Sequence, residues 1–177
     1  MADDQKIEKT EVKKKKVRMT VTERREKNLI SAVKPFEDFV DSKGLTYKEV
    51  ATAVGLSETA VFKWLMVDDM SLVNLYAVAE AFNYTLEVEL KDKEVVIDNV
   101  VVIDDNEGQK KLRFVELALS RKKVTKRELS KRLGKSYQAI SRWFLVDNLM
   151  LSELNNIATV LDMNLNYTFR PKPKQKQ

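Results

Sequence analysis

Through most of the chain, apolar residues recur every three to four positions, the period of helices buried on one side. Leu29, Ile30, Val33, Phe36, Phe39 and Val40 share one face of a helix predicted over about Asn28 to Ser42. Leu112, Val115, Leu117 and Leu119 do the same for a helix predicted over Glu107 to Ser120. Each is followed by three shorter helical patterns, the last over about Ser71 to Phe82 and Leu151 to Leu161. The period then shortens to two. Thr85-Leu86-Glu87-Val88-Glu89-Leu90 and Asn164-Leu165-Asn166-Tyr167-Thr168-Phe169 alternate as half-buried strands do. The β-branched run Glu94 to Ile103 is predicted to pair with the first of them, across a turn at Lys91-Asp92-Lys93.

The pattern occurs twice because the sequence does. Leu45–Leu90 aligns without a gap on Val124–Phe169, at a spacing of 79 residues. Thr46, Glu49, Gly55, Ser57, Ala60, Trp64, Val67 and Asp68 reappear as Thr125, Glu128, Gly134, Ser136, Ala139, Trp143, Val146 and Asp147, and further identities follow. The chain is a tandem duplication. Both copies open their second helix with Thr-x-x-Glu, predicted to be a capping box in which the Thr hydroxyl takes an orphan amide and Glu reaches back. Gly55 and Gly134 stand where that helix must end in a left-handed residue. Ser57 and Ser136 are placed to cap the third.

Composition narrows the chemistry. The 177 residues include no cysteine and no histidine. Disulfides, thiolate nucleophiles, Cys/His zinc sites and imidazole bases are therefore excluded. No catalytic motif or Gly-rich phosphate loop is recognisable, so neither an enzyme nor a cofactor is expected. No apolar run reaches the length of a membrane span, and the opening residues lack a secretory core; a cytoplasmic location, in a bacterial nucleoid or a phage-infected cell, is the expectation. Net charge is +5, unevenly placed. Asp41–Leu90 holds three lysines against eight acids, a net of −5, whereas Lys110–Arg170 holds thirteen Lys/Arg against five acids, a net of +8. The second half is the better match for a polyanion.

A small residue, a glycine four positions on, a β-branched residue ten on and a tryptophan thirteen on occur as Ala51, Gly55, Val61, Trp64 and as Ser130, Gly134, Ile140, Trp143. Two helices crossing steeply after a short turn need a small side chain at the crossing and a turn residue able to take positive φ. The β-branched residue and the tryptophan, one turn apart, are read as core anchors of the third helix. On these residues both copies resemble the phage-repressor-type (Cro/repressor, lambda-repressor-like) helix-turn-helix family, over about Asn28–Phe82 and Glu107–Leu161.

The resemblance implies a mainly α protein with short strands: two tandem four-helix helix-turn-helix domains, each followed by a β-strand or hairpin. The divisions expected are a disordered basic arm (1–22, with the run Lys13–Lys16), a first domain with its hairpin (23–103), a linker (104–108), a second domain (109–170) and a disordered tail (171–177). In such a family the third helix enters the major groove of double-stranded DNA. Base-reading positions carry over as Tyr137, Gln138, Ser141 and Arg142 in the second copy, and as Thr59 and Lys63, beside Glu58, in the first. Backbone contacts are expected from Lys126, Arg127, Lys131, Arg132 and Lys135 and from the helix-capping Thr125, Ser136, Thr46 and Ser57.

Two departures stand out. The loop after the third helix reads Val67-Asp68-Asp69-Met70 and Val146-Asp147-Asn148-Leu149, and such acids would repel phosphate. A strand also replaces the fifth helix common in the family; the resemblance implies that the two copies could pair strand to strand within one chain as a pseudo-dimer. Glu58 weighs against base reading by the first copy, because a carboxylate accepts only from cytosine. Three functions follow: a sequence-specific bacterial or phage transcription regulator reading mainly through the second copy; an architectural, genome-associated DNA binder; or a protein-interaction adaptor. The acidic first copy and the strands suit a protein partner or self-association.

Overall fold

The computed structural model describes residues 31–93 and 110–173. Within them the chain is mainly helical, with eight helices and a two-stranded antiparallel sheet. The first unit comprises α1 (Lys34–Ser42), α2 (Tyr47–Ala53), α3 (Glu58–Val67), α4 (Leu72–Ala81) and β1 (Tyr84–Asp92). The second repeats the order as α5 (Arg113–Arg121), α6 (Lys126–Leu133), α7 (Tyr137–Val146), α8 (Leu151–Val160) and β2 (Met163–Pro171). The arm, the run Glu94–Ile103 and the linker 104–108 lie outside the described residues. No single described helix is long and apolar enough to cross a membrane.

Backbone conformation repeats as faithfully as the sequence. Among the described residues the positive-φ positions are Gly44, Gly55, Asp68 and Asn83 in the first unit and Lys123, Gly134, Asp147 and Asp162 in the second, four pairs at the 79-residue spacing. Gly55 and Gly134, at φ 68° and 63°, end the second helix of each unit as expected. In the first unit the chain then turns by 116° from α2 into α3. Ala51 and Ser130 are both buried at the crossing.

Two expectations need correcting at the helix starts. The first helix of the second unit begins at Arg113, not Glu107, because the Asp147 carboxylate accepts the backbone amides of Lys111 (2.7 Å) and Leu112 (2.9 Å) and holds the chain in a turn. In the first unit α1 begins at Lys34; Asp68 accepts the Ser31 hydroxyl (2.5 Å) and the Val33 amide (3.4 Å). Only one Thr-x-x-Glu forms a reciprocal box. Glu49 accepts the Thr46 amide at 2.7 Å while Thr46 accepts the Glu49 amide at 3.2 Å. Thr125 takes the Glu128 amide (3.1 Å), but the Glu128 carboxylate turns to Arg132 instead. An arginine four residues on outcompetes a neutral amide for the carboxylate.

The two strands pair with each other. In the register Val88 faces Tyr167, its own counterpart in the repeat, and Tyr84–Asp92 runs antiparallel to Pro171–Met163. A second bridge joins Ser71 to Met150, again counterparts. Equivalent residues meeting antiparallel is what a twofold axis requires, so a pseudo-twofold passes through both contacts. β1 extends through Lys91 and Asp92, paired with Asn164 and Met163, where a turn was expected, and β2 includes Pro171, expected to open the tail. Lys172 continues that edge by donating its amide to Asn83 (3.1 Å).

The pairing also crosses the units. Phe169 of β2 stacks on Phe39 of α1 at 4.2 Å between ring centroids, and the Tyr167 hydroxyl donates to the Ala32 carbonyl at 2.9 Å. Arg121 of α5 and Lys122 just beyond it reach Asp92 at the end of β1. The buried side chains of both units form one continuous core.

Candidate nucleic-acid interface

The outward surface of α6 and α7 is set by local chemistry. Ser136 caps α7 by accepting the Ala139 amide (3.1 Å), and Ile140 and Phe144 bury the inner face. Phe144, rather than Trp143, is the deeper anchor one turn from Ile140; Trp143 is half-buried, whereas Trp64 is buried as expected. What remains outside α7 is Tyr137, Gln138 and Arg142, exposed, with Ser141 partly so. The expected base-reading residues of the second unit thus lie on one solvent-facing strip.

The expected backbone cations divide in two. Arg127 and Lys131 are exposed and pair with no described residue. The other three are held inside the unit. Lys126 binds Glu116 (3.1 Å) and lies 3.9 Å from the Phe144 ring centroid. Lys135 binds Glu153 (2.8 Å) and sits over Trp143. Arg132 binds Glu128 and reaches toward the Val160 carbonyl. Thr125 and Ser136 each accept one capping amide, and each hydroxyl proton is left to donate outward.

In the first unit the same surface differs in kind. Thr59 and Lys63 are exposed beside Glu58, as expected, and Ser57 caps α3 by accepting the Ala60 amide (3.2 Å). The Thr46 hydroxyl, however, donates to Glu49 (2.8 Å), which consumes the proton a phosphate would need. Tyr47, Thr52, Ala53 and Leu56 occupy the positions of Lys126, Lys131, Arg132 and Lys135. Phe62 replaces Ser141, and Phe62 and Met66 are 44% and 73% exposed, a large apolar surface in the middle of the face.

The acidic loops turn out to be structural. Asp69 accepts the Ser152 amide (3.0 Å) and hydroxyl (2.6 Å) at the start of α8, while Asn148 accepts the Val73 amide (3.2 Å) at the start of α4. The Leu72 amide donates to Leu149 (2.8 Å) and the Leu151 amide to Met70 (2.9 Å) between them. Each loop therefore caps the other unit's fourth helix across the pseudo-twofold. Asp68 and Asp147 face the first helices. The acids expected to repel a phosphate are committed to orphan amides within the protein. The only sequence sign of this was the recurrence of the acid–acid/amide pair in both copies.

No family model, no curated protein and no solved structure matches the chain.

Proposed function

We propose that this chain is a sequence-specific double-stranded DNA-binding regulator built from two tandem helix-turn-helix domains, in which the second is the reader. The observation that most supports this reading is the α7 strip: Tyr137, Gln138, Ser141 and Arg142 face solvent together, next to the unpaired Arg127 and Lys131 of α6. Gln and Arg are the side chains that pair bidentately with adenine and guanine in the major groove. Unpaired cations beside them supply the sequence-independent attraction to phosphate. The net of +8 across Lys110–Arg170 favours the same polyanion.

The first unit contributes little to this reading. Four of its cation positions are uncharged and its strip is apolar. A site with one short motif per chain follows, rather than two half-sites.

Selection from randomised duplex DNA by the intact protein, at moderate salt, tests the proposal. One short enriched motif is the expected result. Arg142→Ala should then cost about 1–3 kcal/mol at one base position, and Lys131→Ala should weaken all duplexes alike and lower the salt slope by about one. Binding without enrichment would replace the regulator by an architectural role. No duplex binding at low salt would leave an adaptor that keeps the fold for protein contacts.

A further inference from the structure

The outward strip of α3 has the spacing of a two-stranded coiled-coil seam. Thr59 and Met66 stand seven residues apart, at a positions, Phe62 lies between them at d, Glu58 precedes at g and Lys63 follows at e. All five are exposed. Phe62 is fixed edge-on against Tyr47, with centroids 5.3 Å apart. Glu58 and Lys63 pair with no described residue, so the charges at the two borders of the apolar strip are unspent. The same positions of α7 carry Tyr137, Gln138, Ser141, Arg142 and Leu145, which have no such seam.

We infer that a second copy of this chain docks on α3 through Phe62 and Met66, with the two α3 helices parallel about a twofold axis. The charges select both the partner and the orientation. In the parallel arrangement each Glu58 faces the other copy's residue five positions further on, which is Lys63. An antiparallel arrangement would set Glu58 beside Glu58 and Lys63 beside Lys63. The strip is thus complementary to itself in one orientation. It involves no residue of α6 or α7, so the inference stands whether or not the second unit reads DNA.

One ten-residue helix offers a small contact, and dissociation on the order of 10 μM is expected. Sedimentation equilibrium of the full chain from about 1 to 200 μM, a span bracketing that constant, reads the outcome directly. Wild type should pass from monomer to dimer. Phe62→Asp, Glu58→Lys and Lys63→Glu should each weaken dimerisation at least tenfold, with helical circular dichroism unchanged. The double exchange Glu58→Lys with Lys63→Glu should restore it, because the pairs re-form with signs reversed. A monomer at every concentration overturns the inference, and so does a dimer indifferent to either single charge reversal. Duplex binding by Phe62→Ser, which removes the apolar contact without changing charge, should match wild type per chain, which separates a failure here from a failure of the DNA reading.

Discussion

Removing the Asp69 carboxylate should destabilise the protein more than removing its counterpart Asn148. The fourth helix of the first unit has a cap of its own, Ser71, which accepts the Asn74 amide at 3.2 Å. Its equivalent at the start of α8 is Met150, which has no acceptor to offer. Asp69, arriving from the other unit, takes both the amide and the hydroxyl of Ser152. A lost N-cap costs about 1 kcal/mol. A carboxylate at a helix N-terminus adds about 0.3–1 kcal/mol through the helix dipole. Asp69→Ala is therefore expected to cost about 1.3–2 kcal/mol. Asn148→Ala removes one neutral bond from a helix already capped, and about 0.5 kcal/mol is expected. Met150→Ser should recover about 1 kcal/mol in the Asp69→Ala background by supplying the cap that Ser71 supplies in the first unit. Urea unfolding monitored by circular dichroism measures all four proteins, with midpoints compared at unchanged slope. Equal losses from Asp69→Ala and Asn148→Ala, or no recovery from Met150→Ser, would refute capping across the pseudo-twofold.

Three further outcomes follow from the geometry. Lys123 adopts φ 54° where Gly44 stands at 61° in the first unit; Lys123→Gly should raise stability by about 0.5 kcal/mol, the left-handed penalty less glycine's extra freedom when unfolded, and a lowered melting temperature would count against it. Hydrogen bonds from the Thr46 amide and then its hydroxyl hold the Glu49 carboxyl below its ordinary value of 4.5. A depressed value means stability complete above that point and lost as pH falls through the folded value, so Glu49→Gln should flatten the acid limb between about pH 5 and 3; an unchanged limb would exclude the capping box as its source. Burial pushes the Tyr167 phenol above its ordinary value of 10, so its contribution is complete below that pH and lost as pH rises. Tyr167→Phe should cost about 1 kcal/mol at neutral pH, for the bond to Ala32, and lose less stability than wild type on the alkaline side; parallel alkaline losses would contradict this.

Much of the candidate interface was legible because its determinants are local. The exposure of Gln138 and Arg142, each two residues from Ile140, follows from the helical period once Ile140 is assigned to the core. What was not legible is which cations are spent internally. Lys126 is ten residues from Glu116, and Lys135 eighteen from Glu153. Nothing in a helical repeat announces those two pairs, so Lys126 and Lys135 read like Arg127 and Lys131 until the chain was folded. Arg132, by contrast, stands four residues from Glu128, a spacing the helical period does announce.

The sequence alone determined the duplication, the order of the elements, the caps at Thr46, Ser57, Thr125 and Ser136, and the left-handed glycines at 55 and 134. These rest on contacts within three or four residues, where side-chain type and spacing suffice. Only the tertiary structure decided where Asp68, Asp69, Asp147 and Asn148 would find their donors. Those partners lie 35 to 83 residues away. It also decided that β1 would pair with β2, about the Val88–Tyr167 contact. Strand alternation shows that an apolar face must be covered but leaves the partner open. That choice is made when two homologous units, each with an exposed edge and a hungry helix end, meet and satisfy one another about a common axis.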